Sequence, residues 1–226
     1  MAIYLVLHTT YLTVDLALYN DTACLGFVQH DKKTASKKII SLIHQILEQN
    51  NTPLDSIDFF ATHQGPGPFT TLRILIATAN GLSFATGTPI VGVNGLTTFV
   101  HEHAQDDRAT VALLNAYTGQ AYYAILKSRE QEPIIGCAPI ATALTLIKEQ
   151  CKTSAPYLVG NGVKVFSSEV AALLPQAIIA DDLPDSCSVH ALALQGLKQW
   201  SNKEGITQQL VPLYMKEHYA QRPNQS

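Results

Sequence analysis

Two blocks of predicted elements follow one another along the chain in the same order: three strands, helix, strand, helix, strand, helix. In the first block, compact apolar runs at 2–7, 14–19 and 23–28 read as strands, with Asn20-Asp21 as the turn between the second and third. Residues 36–49 then place Ile39, Ile40, Ile43, Ile46 and Leu47 on one helical face, and Asn50, Asn51 and Pro53 stop that helix. A strand at 57–61, a helix at 70–86 ended by Gly87 and Pro89, a strand at 90–93 and a helix at 96–103 complete the block. The second block has strands at 110–114, 121–126 and 133–139, a helix from a Thr142 cap to about Cys151, and a strand at 157–159. A partly helical stretch at 162–173, a short strand at 178–179 and a helix at 188–200 capped by Ser188 follow. No residue-level repeat accompanies this order. Such a chain is expected to fold as an α/β duplication of two lobes, 1–107 and 108–226, divided at the polar stretch 105–108. The last residues can return to the first lobe, and 222–226 are expected to fray.

Composition narrows the functions open to it. Apolar residues make up 46% of the 226 residues and charged residues 15%, as in a packed globular protein. The net charge of −3 supplies no broad basic surface, so any link to nucleic acid is expected to run through a partner. Cys24, Cys137, Cys151 and Cys187 are scattered, with no metal-knuckle spacing, and read as reduced thiols of a cytoplasmic protein. The apolar run at 2–7 is too short for a signal peptide or a membrane span.

The segment Gly65-Pro66-Gly67-Pro68-Phe69-Thr70-Thr71-Leu72-Arg73 lies between a predicted strand and a predicted helix. A phosphate loop at that place works through consecutive backbone N–H groups. Pro66 and Pro68 have none to give, and no lysine follows Gly67. A stiff turn that fixes how the helix leaves the sheet is the better reading. The helix itself carries Ala77, Ala79, Gly81, Ser83 and Ala85, small residues that let another helix approach closely. Leu72, Ile76, Ala79 and Ser83 form one stripe, and Leu75, Ala79, Leu82 and Thr86 a second, while Arg73, Asn80 and Gly87 point elsewhere. A helix apolar on more than one side is either deeply buried or contacts a partner.

The run Gly65 to Arg73 with Ile74 resembles the Gly-Pro-Gly-Ser-Phe-Thr-Gly-Leu-Arg-Ile signature of the TsaB (YeaZ) family. The similarity continues through Ala77-Thr78-Ala79-Asn80-Gly81-Leu82-Ser83-Phe84-Ala85 and Pro89-Ile90-Val91-Gly92-Val93-Asn94-Gly95-Leu96. It resumes at Asn115-Ala116-Tyr117-Thr118-Gly119-Gln120-Ala121-Tyr122-Tyr123, at Val159-Gly160-Asn161-Gly162 and at Pro212-Leu213-Tyr214-Met215-Lys216. The resemblance implies a duplicated ribonuclease-H-like fold of the actin-like ATPase (ASKHA) kind. It also implies a non-catalytic scaffold that supports the catalytic subunit TsaD. Together with the ATPase TsaE, these proteins place threonylcarbamoyl on an adenosine of tRNA, which this chain would reach only through the complex. The interface would be formed by the helices at 36–49 and 70–86, with Ile39, Ile43, Ile46, Leu72, Leu75, Ile76, Ala79, Leu82 and Ser83 as its residues. The same surface would make a homodimer when the partner is absent.

The departures from that pattern fall where a nucleotide would bind. The family's Asp-Thr-Ser or Asp-Thr-Ala at the end of the first strand is His8-Thr9-Thr10, its His-Ser ahead of the first helix is Ala35-Ser36, and its Asp-Ala-Arg is Asn115-Ala116-Tyr117. His8, Thr9 and Thr10 are thus weak candidates for nucleotide contact, since Mg²⁺ prefers oxygen ligands. Neither a cofactor nor a metal is expected. An ATP-dependent small-molecule kinase of the same superfold is the alternative, and it needs carboxylates where His8 and Asn115 stand. His8 has the chemistry of a general base, but no carboxylate or nucleophile beside it is identifiable in the sequence. His101 and His103 are two apart on a helix and cannot easily share an ion. Asp181, Asp182 and Asp185 read as a solvated loop, and Lys32, Lys33, Lys37 and Lys38 as a solvated helix start rather than an RNA contact. Trp200 reads as core. A metallopeptidase is excluded, since no two histidines stand four apart on one helix.

Overall fold

The structure, a computed structural model, describes residues 1–152 and 154–215, and for Ser36 the backbone alone. The first block forms β1 (Ile3–Thr9), β2 (Thr13–Asn20), β3 (Ala23–Asp31), α1 (Lys32–Gln49), β4 (Phe59–Gly65), α2 (Phe69–Thr86), β5 (Ile90–Asn94) and α3 (Gly95–Glu102). The second forms β6 (Thr110–Asn115), β7 (Gln120–Leu126), β8 (Ile134–Pro139), α4 (Ile140–Gln150), β9 (Tyr157–Val159), α5 (Asn161–Val165), α6 (Ser167–Leu173) and β10 (Ile178–Ile179). Two last elements, α7 (Val189–Asn202) and β11 (Ile206–Thr207), end the described chain. One sheet runs β11-β5-β4-β1-β2-β3 and the other β10-β9-β6-β7-β8. With β11 set aside, both sheets share one order, a meander whose first strand pairs in parallel with the fourth. This is the duplicated ribonuclease-H-like arrangement of the two-lobed actin-like ATPase fold.

The central strands are apolar on both faces because both faces are covered. In β1, Leu5 and Leu7 join Ile39, Ile43, Ile46, Phe60, Leu72, Leu75, Ile76 and Ala79 in a core between the first sheet and α1 with α2. Tyr4 and Val6 alternate to the other face. There they meet Phe59, Val93, Phe99, Leu192 and Ala193, and that core continues into Ala112, Leu114 and Val159 of the second sheet. One core therefore joins the two lobes. A third lies on the far face of the second sheet, under α4 and α6. Trp200 is half-buried and stacks on Phe59 at 4.7 Å, as a core residue does.

Several boundaries differ from the sequence expectation. Helix α1 begins at Lys32 rather than near residue 36, because the Asp31 side chain accepts the Lys33 N–H and caps it earlier. Thr142 lies inside α4, whose first residue is Ile140, so it is not a cap. Ser188 does cap α7, accepting the Ala191 N–H. Strand β4 extends to Gly65 and thus into the glycine-proline segment. The second lobe was expected over 108–226 with its last residues able to return to the first lobe, and in space that return begins at α7. Helix α7 packs on β1, β4 and β5, and β11 pairs antiparallel with β5, so the chain from 189 onward lies on the first sheet. The signal was hidden, since α7 completes the second block in order while serving the first in space. The frayed end expected at 222–226 and Lys216 of the family match lie outside the described residues. Among the described residues, no helix is long and apolar enough to cross a membrane.

Candidate functional site

A nucleotide bound between two such lobes would need the β1–β2 turn to offer hydrogen-bond donors. Here the turn has spent them on itself. Thr10 Oγ1 accepts the N–H groups of Leu12 and Thr13 at 3.0 and 2.9 Å. Thr9 Oγ1 donates within the turn, 3.1 Å from the carbonyl oxygens of both Thr10 and Thr13. His8 and Thr9 are buried, at 0% and 1% exposure. The three residues that were nucleotide candidates therefore form a closed structural turn, with no hydroxyl aimed at the cleft. On the opposite lobe, Asn115 Oδ1 accepts the Tyr117 N–H at 2.9 Å. The carboxylates a kinase would place at these two strand ends are replaced by groups already engaged.

The cleft between the lobes is a cavity of about 290 Å³ whose walls include Tyr11, Pro66, Phe69, Tyr117, Tyr122 and Tyr214. Tyr11 crosses it, donating its hydroxyl to the Asn115 carbonyl at 2.5 Å, and its ring meets Tyr117 at 6.0 Å. Burial is the main reason that the Tyr11 hydroxyl is held above its ordinary pKa. The proline loop forms one wall. Gly65 has φ 119°, a backbone that L side chains rarely adopt, and an added Cβ would lie 3.1 Å from Leu72 and 3.2 Å from the Leu213 carbonyl. The loop thus sets the departure of α2, as the stiff-turn reading expects, while Pro66 and Pro68 turn no N–H toward the cleft.

Beneath the β1–β2 turn lies a buried histidine pair. The His8 ring stacks on His63 at 5.1 Å with 24° between planes. His8 Nδ1 is 3.2 Å from Asp15 Oδ2, and His8 Nε2 is 3.1 Å from Ser186 Oγ and 3.8 Å from Cys187 Sγ. Burial opposes ionisation of Asp15, but hydrogen bonds from His8, Thr13 and Gln29 win and hold its carboxyl below the usual range. His63 Nδ1 bonds the Thr9 carbonyl at 3.1 Å, and His63 Nε2 has no hydrogen-bond partner among the described residues. Burial, then the charge of His8, pushes His63 down to about 3, so it is a neutral imidazole. Burial also raises Asp185 and the Cys187 thiol. Sequence reasoning found neither Asp15 nor Ser186. Asp15 could have been found: a turn centred on Tyr11 and Leu12 places it opposite His8 in the hairpin register. Ser186, 178 residues away, leaves no local signal.

The residues expected at a partner interface are placed differently. Ile39, Ile43, Ile46, Leu72, Leu75, Ile76, Ala79 and Ser83 are all buried in this chain, at 4% exposure or less, and Leu82 is half-buried. The eight buried residues hold α1 and α2 onto the first sheet and are not available to a second protein. The exposed face of α2 is the stripe they leave: Arg73, Ala77, Gly81 and Phe84 are exposed and Ile74 and Thr78 half-buried. Of these, Ile74, Ala77, Thr78 and Gly81, with Leu82 and Ile40 of α1, line a shallow apolar groove between the helices. Phe84 is 93% exposed and Ile40 58%. A Cβ on Gly81 would meet nothing within 4 Å.

Motif residues Phe69, Thr70 and Arg73 are exposed at the start of α2, beside buried Gly65 and Pro66 and half-buried Gly67. The Arg73 guanidinium lies 3.8 Å over the Phe69 ring and its Nε donates to the Tyr214 hydroxyl at 2.8 Å. The polar side of α2 is thereby taken by the C-terminal segment. Asn80 holds Leu210, Ser83 Oγ donates to Gln208 Oε1 at 2.9 Å, and the Leu213 N–H donates to the Gln64 carbonyl at 2.8 Å. At the other histidines, His103 ends α3 with Nδ1 3.0 Å from the Phe99 carbonyl. Among the described residues, no three His, Cys, Asp or Glu side chains group in a way that could hold a metal ion. Asp181 and Asp182 are exposed, Asp185 is half-buried, and Lys33, Lys37 and Lys38 are exposed on α1.

Comparison with known proteins gives a family and a fold. Residues 29–218 match the family described as TsaD, tRNA N6-adenosine threonylcarbamoyltransferase. The chain is 31% identical over 111 residues to the tRNA threonylcarbamoyladenosine biosynthesis protein TsaB of Escherichia coli (strain K12), a stretch covering 48% of each chain. It thus spans about half the length of that relative. Among solved structures, YeaZ from Pseudomonas aeruginosa superposes with a TM-score of 0.72 at 21% identity, covering 95% of this chain and 100% of that one. The inorganic polyphosphate/ATP-glucomannokinase of Arthrobacter sp. strain KM superposes at 0.50 and 7% identity, covering 90% and 100%.

Proposed function

The chain belongs to the family described as TsaD, tRNA N6-adenosine threonylcarbamoyltransferase, within it to the TsaB (YeaZ) group, and from that premise we propose that it is a non-catalytic scaffold subunit in threonylcarbamoyladenosine biosynthesis. Its partner is a TsaD-like catalytic subunit, which it supports through the exposed faces of α1 and α2. A TsaE-like ATPase completes the complex, and tRNA is reached through the partner.

One observation carries this reading. The α1–α2 groove leaves Ile40 exposed beside the small residues Ala77 and Gly81, and Phe84 is exposed further along α2. Ala77, Gly81 and Phe84, four and three residues apart, fall on one exposed side of α2. Small residues along the groove floor allow close approach of a second helix. The closed β1–β2 turn agrees with a chain that leaves the chemistry to its partner. Co-expression with the TsaD-like subunit of the same source, followed by size-exclusion chromatography, tests the reading. A stable complex is expected, and two separate peaks would overturn it.

A further inference from the structure

Helix α1 carries its charges in the order that its own dipole disfavours. Lys33 and Lys37 stand four apart in the first two turns, where the dipole favours anions, and like charges at that spacing repel. Glu48 stands in the last turn, where the dipole favours cations, and that turn holds no base. The Asp31 side chain ahead of the helix is committed to the Lys33 N–H at 2.8 Å. Among the described residues, no ion pair engages Lys33, Lys37 or Lys38. Glu48 meets His44 at 3.8 Å, with the two side chains 75% and 77% exposed, so its charge faces water.

These charges share one stripe with the groove. Lys33, Lys37, Ile40, His44 and Glu48 follow at intervals of four, three, four and four, and all five are exposed. Ile40, at the centre, lines the groove shared with α2. With His44 and Glu48 it also lines a hollow against Leu47, Pro53 and Leu54. Whatever is seated in the groove therefore lies between a basic end and an acidic end. An apolar centre flanked by both signs of charge fits a protein surface. A phosphate backbone laid along the stripe would meet Glu48 as well as the lysines.

We infer that the partner surface seated on α1 carries the complementary order: acidic side chains against Lys33 and Lys37, an apolar one against Ile40 and a basic one against Glu48. The inference rests on the scaffold reading and adds to it the chemistry and the direction of the partner. Turned end for end, the partner would bring like charges together, so the stripe admits one orientation. Charges at the rim of an apolar contact act mainly on the rate of association, by drawing the partner in before the groove is filled.

The test uses the full chain and the TsaD-like subunit of the same source, with association followed by surface plasmon resonance at low and high salt. Lys33→Glu combined with Lys37→Glu is expected to slow association at low salt by about tenfold or more, and the difference should shrink at high salt. Glu48→Lys should slow it too. Both changes put charge where the dipole favours it, so melting temperatures should hold or rise, and a loss of fold cannot imitate the effect. Lys164→Glu combined with Lys198→Glu alters the net charge equally on α5 and α7 and should leave the rate near that of the wild type. A wild-type rate in Lys33→Glu with Lys37→Glu, or equal slowing in the control, would overturn the inference and leave the scaffold reading standing. So would an effect confined to tRNA binding or to self-association. A wild-type chain that forms no complex at all would overturn both.

Discussion

Asn80 and Leu210 form a closed pair: the Asn80 side-chain amide donates to the Leu210 carbonyl at 2.9 Å, and the Leu210 N–H donates back to Asn80 Oδ1 at 2.8 Å. A side chain in the middle of α2 thus satisfies both backbone groups of a buried residue 130 positions away. Replacing it leaves those groups unpaired in a dry place. Asn80→Leu is expected to cost about 1–3 kcal/mol, read as a lower urea midpoint at unchanged slope. An unchanged midpoint would show that the C-terminal segment is not fastened there.

Gly95 opens α3 directly against His63, where an added Cβ would lie 2.1 Å from Nε2. Since the imidazole is fully buried, it cannot swing aside. Gly95→Ala should destabilise the fold by about 1–3 kcal/mol as an overpacked core does. Adding His63→Ala should recover part of that loss, because the methyl then occupies the vacated space. Strictly additive losses in a double-mutant cycle would contradict the contact.

His63 also predicts a pH dependence. Its folded pKa, about 3, lies below the unfolded value of 6.5. As pH falls below 6.5 the unfolded chain takes up a proton that the folded chain refuses, so stability falls until about pH 3. Asp15, lowered from 3.8, adds to the loss at the acid end of that window. The urea midpoint of the wild type should drop from pH 7 to pH 4, and His63→Asn should flatten the drop. Equal slopes in the two proteins would refute the assignment.

The element order was legible because it rests on apolar periodicity, which local sequence carries. The two shared sheet orders followed from it. The interface residues were misread because burial was inferred from the same periodicity. Ile39, Ile76 and Ala79 form good stripes since they face this chain's own sheet, and an apolar stripe does not say which surface it meets. The telling residues were the exceptions, Phe84 and Ile40, apolar where the pattern wants polar. Asn80 and Arg73 were seen to point away from the core. Nothing local showed that residues 208–215 would be there to receive them.

With the partner absent, the groove and the adjoining exposed side of α2 that carries Phe84 should be covered by a second copy of the chain. Sedimentation velocity is expected to show concentration-dependent self-association, and Phe84→Ser should shift the protein toward monomer without lowering its melting temperature. Association that is indifferent to Phe84→Ser would place the self-contact elsewhere.

Gly81→Arg tests the partner interface most directly. Ala79→Arg would not serve, because Ala79 is 0% exposed and the change would disrupt the core. Gly81 is exposed, a Cβ there meets nothing within 4 Å, and replacing a helical glycine should hold or raise stability by up to about 1 kcal/mol. The arginine nevertheless stands in the groove. The account predicts that Gly81→Arg melts at or above the wild-type temperature and no longer co-elutes with the TsaD-like subunit. A folded Gly81→Arg protein that still forms the complex with wild-type affinity would contradict it.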